Sequence, residues 1–318
     1  MASPEIAFTH LDEPLFDGAD ATKRDLVDYL EAVADRIVPV LTGRPLSVIR
    51  VRGGQRPFMQ KNLPDYAPPW IKTVTMWAES SHREVRYALC EDKPTLIWFA
   101  NQRAVEYHVT LGTAEHLDRP SYLVLDIDPP AAGEFGRAVA AARLVREALS
   151  GAGLAGAVKT SGAKGVHIYV PVQQSVSADD AAAATRALAE RAARLDPGLA
   201  TTAFIKADRG GLVFIDSTRA HGATVAAAYS PRARPGVPVS FPVAWDSLDE
   251  VSPGDFNVRN AARLLADADP WADALPSPQA LPEDLVAEGH AIPIARVQAL
   301  HEGKRRARSQ RGSPPAAV

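Results

Sequence analysis

The run Tyr122-Leu123-Val124-Leu125-Asp126-Ile127-Asp128-Pro129-Pro130 constrains the fold more than any other stretch of the chain. An apolar segment of this length closed by prolines reads as a buried β-strand, yet its end carries two carboxylates. Strand side chains alternate, so Asp126 and Asp128 share one face while Leu125 and Ile127 share the other. Two like charges ~7 Å apart at the Cα level, both leaving a hydrophobic strand, are unfavourable without a compensating cation. A strand cap running into an Asp-Pro turn produces the same pattern. On this stretch alone, a site for a hard metal ion and a capped turn both stay open.

The chain has 318 residues, 46% hydrophobic and 23% charged, enough for one large domain or two ordinary ones with a sizeable core. A single cysteine, Cys90, excludes an internal disulfide and a cysteine-based zinc site. The start, Met1-Ala2-Ser3-Pro4-Glu5, has neither a basic nor an apolar leader pattern, and no run reaches membrane-spanning length. A cytoplasmic protein with no membrane partner is expected. The net charge of −3 does not advertise a nucleic-acid binder. Its distribution says more. Arg296, Lys304, Arg305, Arg306, Arg308 and Arg311 face a single Glu302 near the end, so the body is more acidic than the total. A polyanion bound by the body must meet a local basic groove. The basic end reads as a solvated, partly disordered tail, with a nucleic-acid tether as the alternative.

Residues 22–41 carry a helical period, Leu26, Val27, Leu30, Val33 and Ile37, behind a Thr22 cap with Asp25 three positions on. Pro45–Arg52 alternates as a strand, Gly53-Gly54 marks a turn, and a Pro-punctuated loop follows to Pro69. Thr95–Ala100 is a buried segment and Val105–Leu111 a strand. Ala-rich helices are expected at about 134–150 and 178–195, a turn and a strand within 158–172, strands at 212–216 and 223–229, and a short helix at 257–266. Strands interleaved with helices indicate an α/β (α+β) domain, with mixed sheets flanked by helices.

Ser161-Gly162-Ala163-Lys164-Gly165-Val166-His167 sets two glycines around a lysine ahead of a strand. Glycines allow positive φ and close approach of backbone to an anion, Ser161 adds a hydroxyl, and Lys164 adds a fixed charge. This is not a Walker A loop, because a strand follows where a helix should. Leu212-Val213-Phe214-Ile215-Asp216 repeats the earlier logic, an apolar strand ending in a carboxylate. Three acidic side chains at strand ends beside a Ser/Lys/His cradle point to two divalent cations gripping a nucleoside triphosphate. Oxygen-only ligands favour Mg or Mn. Tyr229-Ser230-Pro231-Arg232-Ala233-Arg234-Pro235-Gly236 adds forked donors suited to phosphate.

Together these motifs resemble, in order, the polymerase domain of bacterial ligase D, a branch of the archaeo-eukaryotic primase superfamily. The resemblance runs over about residues 10–285 and includes Phe58-Met59-Gln60-Lys61-Asn62, Pro242-Val243-Ala244-Trp245 and Asp269-Pro270-Trp271. It implies a primase-polymerase fold over residues 1–285, with 286–318 as the basic tail. It also implies template-directed nucleotidyl transfer, preferring ribonucleotides and Mn, in DNA repair by end joining or gap filling. Asp126, Asp128 and Asp216 match the metal triad. His108, Ser161, Lys164, His167, Arg209 and Arg232 match nucleotide contacts, and Lys23, Phe58 and Lys61 match DNA contacts. The implied partners are gapped or broken DNA, NTP or dNTP, a Ku-like end-binding protein and a separate ligase, in a nucleoid-associated setting.

The family's Leu-Asp-Lys appears here as Leu11-Asp12-Glu13, which puts tight recognition of a downstream 5′-phosphate in question. The paired aromatics of the template loop are Phe58-Met59, and Ser217 and Ala220 replace the usual residues after the third carboxylate. Lys206-Ala207-Asp208-Arg209-Gly210 approximates the Lys-x-Asp-Gly motif of adenylating ligases, but its glycine is one place late. A stand-alone polymerase is therefore expected. A dedicated primase starting chains without a primer and a non-catalytic DNA end-bridging factor are the rival readings.

Overall fold

The computed structural model describes residues 5–78, 82–220 and 224–293. Its alternating runs form two six-stranded sheets. The first contains β1 (Pro45–Arg50), β2 (Phe58–Gln60), β3 (Thr73–Ala78), β4 (Arg83–Leu89), β5 (Ala104–Thr110) and, from much later in the chain, β11 (Thr224–Ala226). Its order is β11-β5-β1-β4-β3, with β2 also paired to β1. The second contains β6 (Tyr122–Asp128), β7 (Ala157–Thr160), β8 (Val166–Pro171), β9 (Ala200–Thr201), β10 (Val213–Asp216) and β12 (Pro242–Val243), in the order β12-β7-β8-β6-β10-β9. Its one parallel pair is β9–β10; the others are antiparallel.

The expected helix over 22–41 forms as two pieces, α1 (Lys23–Ala32) and α2 (Ala34–Leu41). Thr22 and Asp25 close the capping box at the start. Val33 leaves the helical region with ψ of 9°, and the chain restarts in a new direction that still buries Leu30, Val33 and Ile37. The Thr95–Ala100 segment is helical, within α3 (Lys93–Asn101), because Asp92 caps it and Pro94 fits its first turn. These three helices pack together, and α3 also meets β5.

The Ala-rich runs are α4 (Phe135–Gly151) and α5 (Ala178–Leu195), which pack on each other and on the second sheet. Small side chains let the layers close: Ala138, Ala141, Ala142, Ala183, Ala184 and Ala187 are all fully buried. Two short helices, α6 (Ala261–Leu265) and α7 (Pro270–Ala274), precede α8 (Glu283–Ala291). Helix α8 crosses the boundary expected at residue 285 and packs closely on α5. A Cβ at Gly289 would lie 1.9 Å from the Ala183 carbonyl oxygen, so only glycine permits this approach. Of the basic tail expected at 286–318, residues 294–318 lie outside the described residues. Among those described, no helix is long and apolar enough to cross a membrane.

Candidate active site

The carboxylates are placed by strand register. β6 lies between β8 and β10, and Asp126 stands directly opposite His167 on one neighbour and Asp216 on the other. Opposed residues project to the same face of a sheet. Asp128 follows two residues along that face, while Leu125 and Ile127 are fully buried on the other. The sequence-predicted Asp126, Asp128, Asp216 and His167 are thus brought together by backbone pairing alone.

Their charges are compensated from three directions. Arg219 Nη2 bridges Asp126 Oδ2 at 2.7 Å and Asp216 Oδ2 at 2.8 Å. Asp216 Oδ1 accepts from the backbone N–H and hydroxyl of Thr218, at 2.8 and 2.6 Å. Asp128 Oδ1 is 3.4 Å from Lys164 Nζ, which also donates to the Pro129 carbonyl at 2.9 Å. Burial works against charge on Asp126, but His167, Arg219 and Lys159 outweigh it and hold its carboxyl well below the usual range. Asp128 moves the other way: burial and then the neighbouring Asp126 raise it, against Lys164. Two carboxylates on one strand thus have opposite tendencies.

His167 is 3.4 Å from Asp126 Oδ1 through Nε2, and its Nδ1 is 2.8 Å from Lys159 Nζ. With Lys159 donating to Nδ1, the ring proton sits on Nε2, facing the site. Burial, reinforced by Lys159, pushes the imidazole down to about 4, so it is neutral at neutral pH. Lys159 itself is fully buried and hydrogen-bonded to Ser240, and burial lowers its ammonium well below the ordinary value.

The turn before β8 departs from a simple anion cradle. Ser161 Oγ accepts from the backbone N–H of Ala163 at 3.2 Å and of Gly165 at 3.1 Å. Those amides therefore shape the turn, and the Ser161 hydroxyl keeps its own proton to donate outward. Both glycines are sterically required. A Cβ at Gly165 would meet the Ile127 carbonyl oxygen at 2.0 Å, and one at Gly162 would meet Arg232 Cγ at 2.7 Å, at a φ of +65°.

His108 and Arg232 come from the first sheet and the loop beyond it, and Glu106 ties them together. Glu106 Oε2 is 2.8 Å from His108 Nε2 and accepts from Arg232 Nε at 3.0 Å, while Oε1 accepts from the Ala233 N–H at 2.9 Å. Arg232 Nη1 reaches across to the Ser161 carbonyl at 2.5 Å. Burial opposes charge on Glu106, but these partners prevail and hold its carboxyl down at about 2. The motif that carries Arg232 is pinned at its start: Tyr229 adopts a φ of +67°, is fully buried, and bonds Asp269 through its hydroxyl. Arg209 lies 3.6 Å over the Phe214 ring and donates to the carbonyls of Ala203 and Phe204 at 3.1 Å each. Phe214 pairs with Asp128, which places Arg209 at the rim on the Asp128 side.

The expected DNA residues are not part of this cluster. Lys23 is buried and donates to the Thr9 carbonyl at 2.5 Å, with burial and then Arg103 lowering its ammonium. Phe58, exposed on β2, lies 5.9 and 5.7 Å from the Arg50 and Arg52 guanidinium carbons. Lys61 is exposed just beyond it. Phe58 belongs to the other sheet, and Lys61 follows the end of its strand. Glu13, where the family pattern has lysine, pairs with Arg103 at 2.6 Å and His10 at 2.8 Å.

Sequence reasoning passed over Arg219, Glu106 and Lys159. Glu106 sits two residues before His108 on a strand, the spacing that puts both on one face. Lys159 is a charge inside an otherwise apolar strand, a standing signal of an internal partner. Arg219 is three residues past Asp216 in a segment with no periodicity to orient it.

The carboxylate donors are oxygen-only, chemistry that fits hard divalent cations, and an arginine now bridges two of them where a cation would compete with it. Among the described residues, and with the side chains as they stand, no group of three or more His, Cys, Asp or Glu is arranged to hold a metal ion.

The family described as LigD, primase-polymerase domain, matches residues 22–271. The bifunctional non-homologous end joining protein LigD of Bacillus subtilis is 32% identical over 282 residues, 87% of this chain and 45% of that protein. The multifunctional non-homologous end joining DNA repair protein LigD of Mycobacterium tuberculosis is 33% identical over 258 residues, 77% of this chain and 34% of that protein. The chain thus spans less than half the length of these curated relatives. Among solved structures, the polymerase domain of Mycobacterium tuberculosis ligase D in complex with DNA aligns with a TM-score of 0.77 at 29% identity, covering 85% of this chain and 98% of that one. The two-sheet core, its paired carboxylate strands and a match across most of the chain agree: this chain belongs to the LigD primase-polymerase domain family.

Proposed function

We propose that the chain is a template-directed nucleotidyltransferase that adds nucleotides, preferably ribonucleotides, to a DNA primer at gaps or broken ends during end joining. The observation that carries this reading is the register that sets Asp126 between Asp216 and His167, with Asp128 beside Lys164. Membership of the LigD family and the relatives' end-joining names support it.

In this reading the primer 3′-hydroxyl attacks the α-phosphate in line, a new O–P bond forms, and pyrophosphate leaves. Asp126, Asp128 and Asp216 would hold two divalent cations, Mg or Mn. When bound, these ions would neutralise charge on the phosphates and lower the pKa of the attacking hydroxyl. The remaining work is positioning. Ser161 donates its hydroxyl proton, Lys164 adds a cation at the mouth, and neutral His167 presents its Nε2 proton. Arg232, locked by Glu106 and the Ser161 carbonyl, fixes the cradle against the first sheet. DNA would run past Phe58 and Lys61. A Ku-like protein and a separate ligase are the partners this assignment calls for.

The direct test is primer extension on gapped DNA, with and without a downstream 5′-phosphate, comparing NTP with dNTP and Mg with Mn. Incorporation by the wild type and a fall of ~10³-fold or more for Asp126→Ala, with the fold intact by circular dichroism, are expected. Near-normal extension by that variant would end the assignment. Weak dependence on the 5′-phosphate is expected from the Glu13–Arg103 pair.

A further inference from the structure

Arg219 belongs to no helix or strand, yet it makes the shortest ion pairs of the carboxylate cluster. A single nitrogen, Nη2, serves both Asp126 Oδ2 and Asp216 Oδ2. That is not the paired-nitrogen fork by which a guanidinium holds one carboxylate firmly. Its Nε is buried without an acceptor. An arginine so held satisfies the charge of the acids at the expense of its own hydrogen bonding. The other nearby cations are better engaged: Lys159 by His167 and Ser240, and Lys164 by the Pro129 carbonyl and Asp128.

Asp126 and Asp216 are the two carboxylates that face each other across paired strands, so an ion taking oxygen from both must occupy the region that Nη2 fills. A cation and a guanidinium cannot share it. The segment Ser217–Ala220, outside regular structure, is where such a side chain can swing without disturbing a ladder.

We propose that Arg219 is a built-in counter-cation that a divalent metal ion must displace from Asp126 and Asp216, so that this chain sets its own metal threshold. The inference rests on the metal-dependent reading above and concerns a residue that this reading does not use. Competition lowers apparent metal affinity by the fraction of molecules in which the arginine has left. It also keeps facing acids neutralised until an ion arrives.

The test is equilibrium binding of Mn to the isolated protein, read by the electron paramagnetic resonance of free Mn, with no nucleotide or DNA present. Arg219→Gln is expected to bind Mn roughly tenfold more tightly than wild type. Arg219→Lys, which keeps a charge but cannot copy the guanidinium geometry, is expected to fall between them. It also provides the reading should the glutamine variant not fold. Equal or weaker Mn binding by the folded variants would overturn the proposal and leave Arg219 a structural ion pair. Asp126→Asn separates the two levels of argument. If it leaves Mn affinity unchanged, the carboxylates are not the metal site and the underlying reading fails. If it removes binding while Arg219→Gln changes nothing, only the threshold role fails.

Discussion

Single residues in this site are controlled by what they face. His167 is pushed down to about 4 from an ordinary 6.5, first by burial and then by Lys159. The unfolded chain takes up this proton near 6.5, whereas the folded protein refuses it until about 4. The stability involved is fully present above 6.5 and is lost as pH falls towards 4, a term on the order of 3 kcal/mol. Replacing His167 with Gln removes that titration. Melting temperatures measured from pH 7 to pH 4 without divalent ions should fall less steeply for the variant than for wild type. Parallel profiles would contradict a buried neutral imidazole. The gathering of Asp126, Asp128, Asp216 and His167 was legible because period two places each on a known face of its strand. Arg219 was not, since nothing in Ser217-Thr218-Arg219-Ala220 says which way a side chain points. The geometry of Lys159 was equally hidden: its partner Ser240 is 81 residues away.

At the scale of elements, the turn between β7 and β8 is specified by what has no room. Gly165→Ala would press a methyl against the Ile127 carbonyl, on the strand that carries Asp126 and Asp128. A loss of at least about 2 kcal/mol is expected in urea denaturation, together with a raised KM for nucleotide. Gly151→Ala, at the open end of α4, meets nothing within 4 Å and should be neutral or stabilising by up to ~1 kcal/mol. Equal effects of the two would show that crowding does not define the turn. The sequence announced Gly162 and Gly165 but pointed to a different task, backbone donation to an anion. The structure assigns the Gly165 amide to Ser161 instead. The long helices were read to within a residue or two, because both are Ala-rich runs with a clear stop, and Ser177 caps α5. The break at Val33 was invisible, since burial of Leu30, Val33 and Ile37 continues the helical period across the change of direction.

At the scale of the molecule, the site spans both sheets, and Glu106 is the joint. It holds His108 on β5 and Arg232, which in turn holds the carbonyl of Ser161 beside β7. Glu106→Gln leaves the Arg232 cation short of its counter-charge, and breaking a buried pair in this way costs on the order of 3 kcal/mol. A lower urea midpoint and a raised nucleotide KM should appear together. A stability loss with unchanged KM would mean that the joint does not orient the cradle. The mixed-sheet class was readable from alternating strands and helices, but the joining of β11 to the first sheet was not, because that contact closes over more than a hundred residues. The position of β6 has a further consequence. Hydrogen-bonded on both edges, its amides can exchange with solvent only when the sheet itself opens, whereas Arg219 hangs from a segment without a ladder. The acids therefore keep a fixed spacing while the sheet stays closed, and any adjustment around them is left to the side chains and turns beside β6.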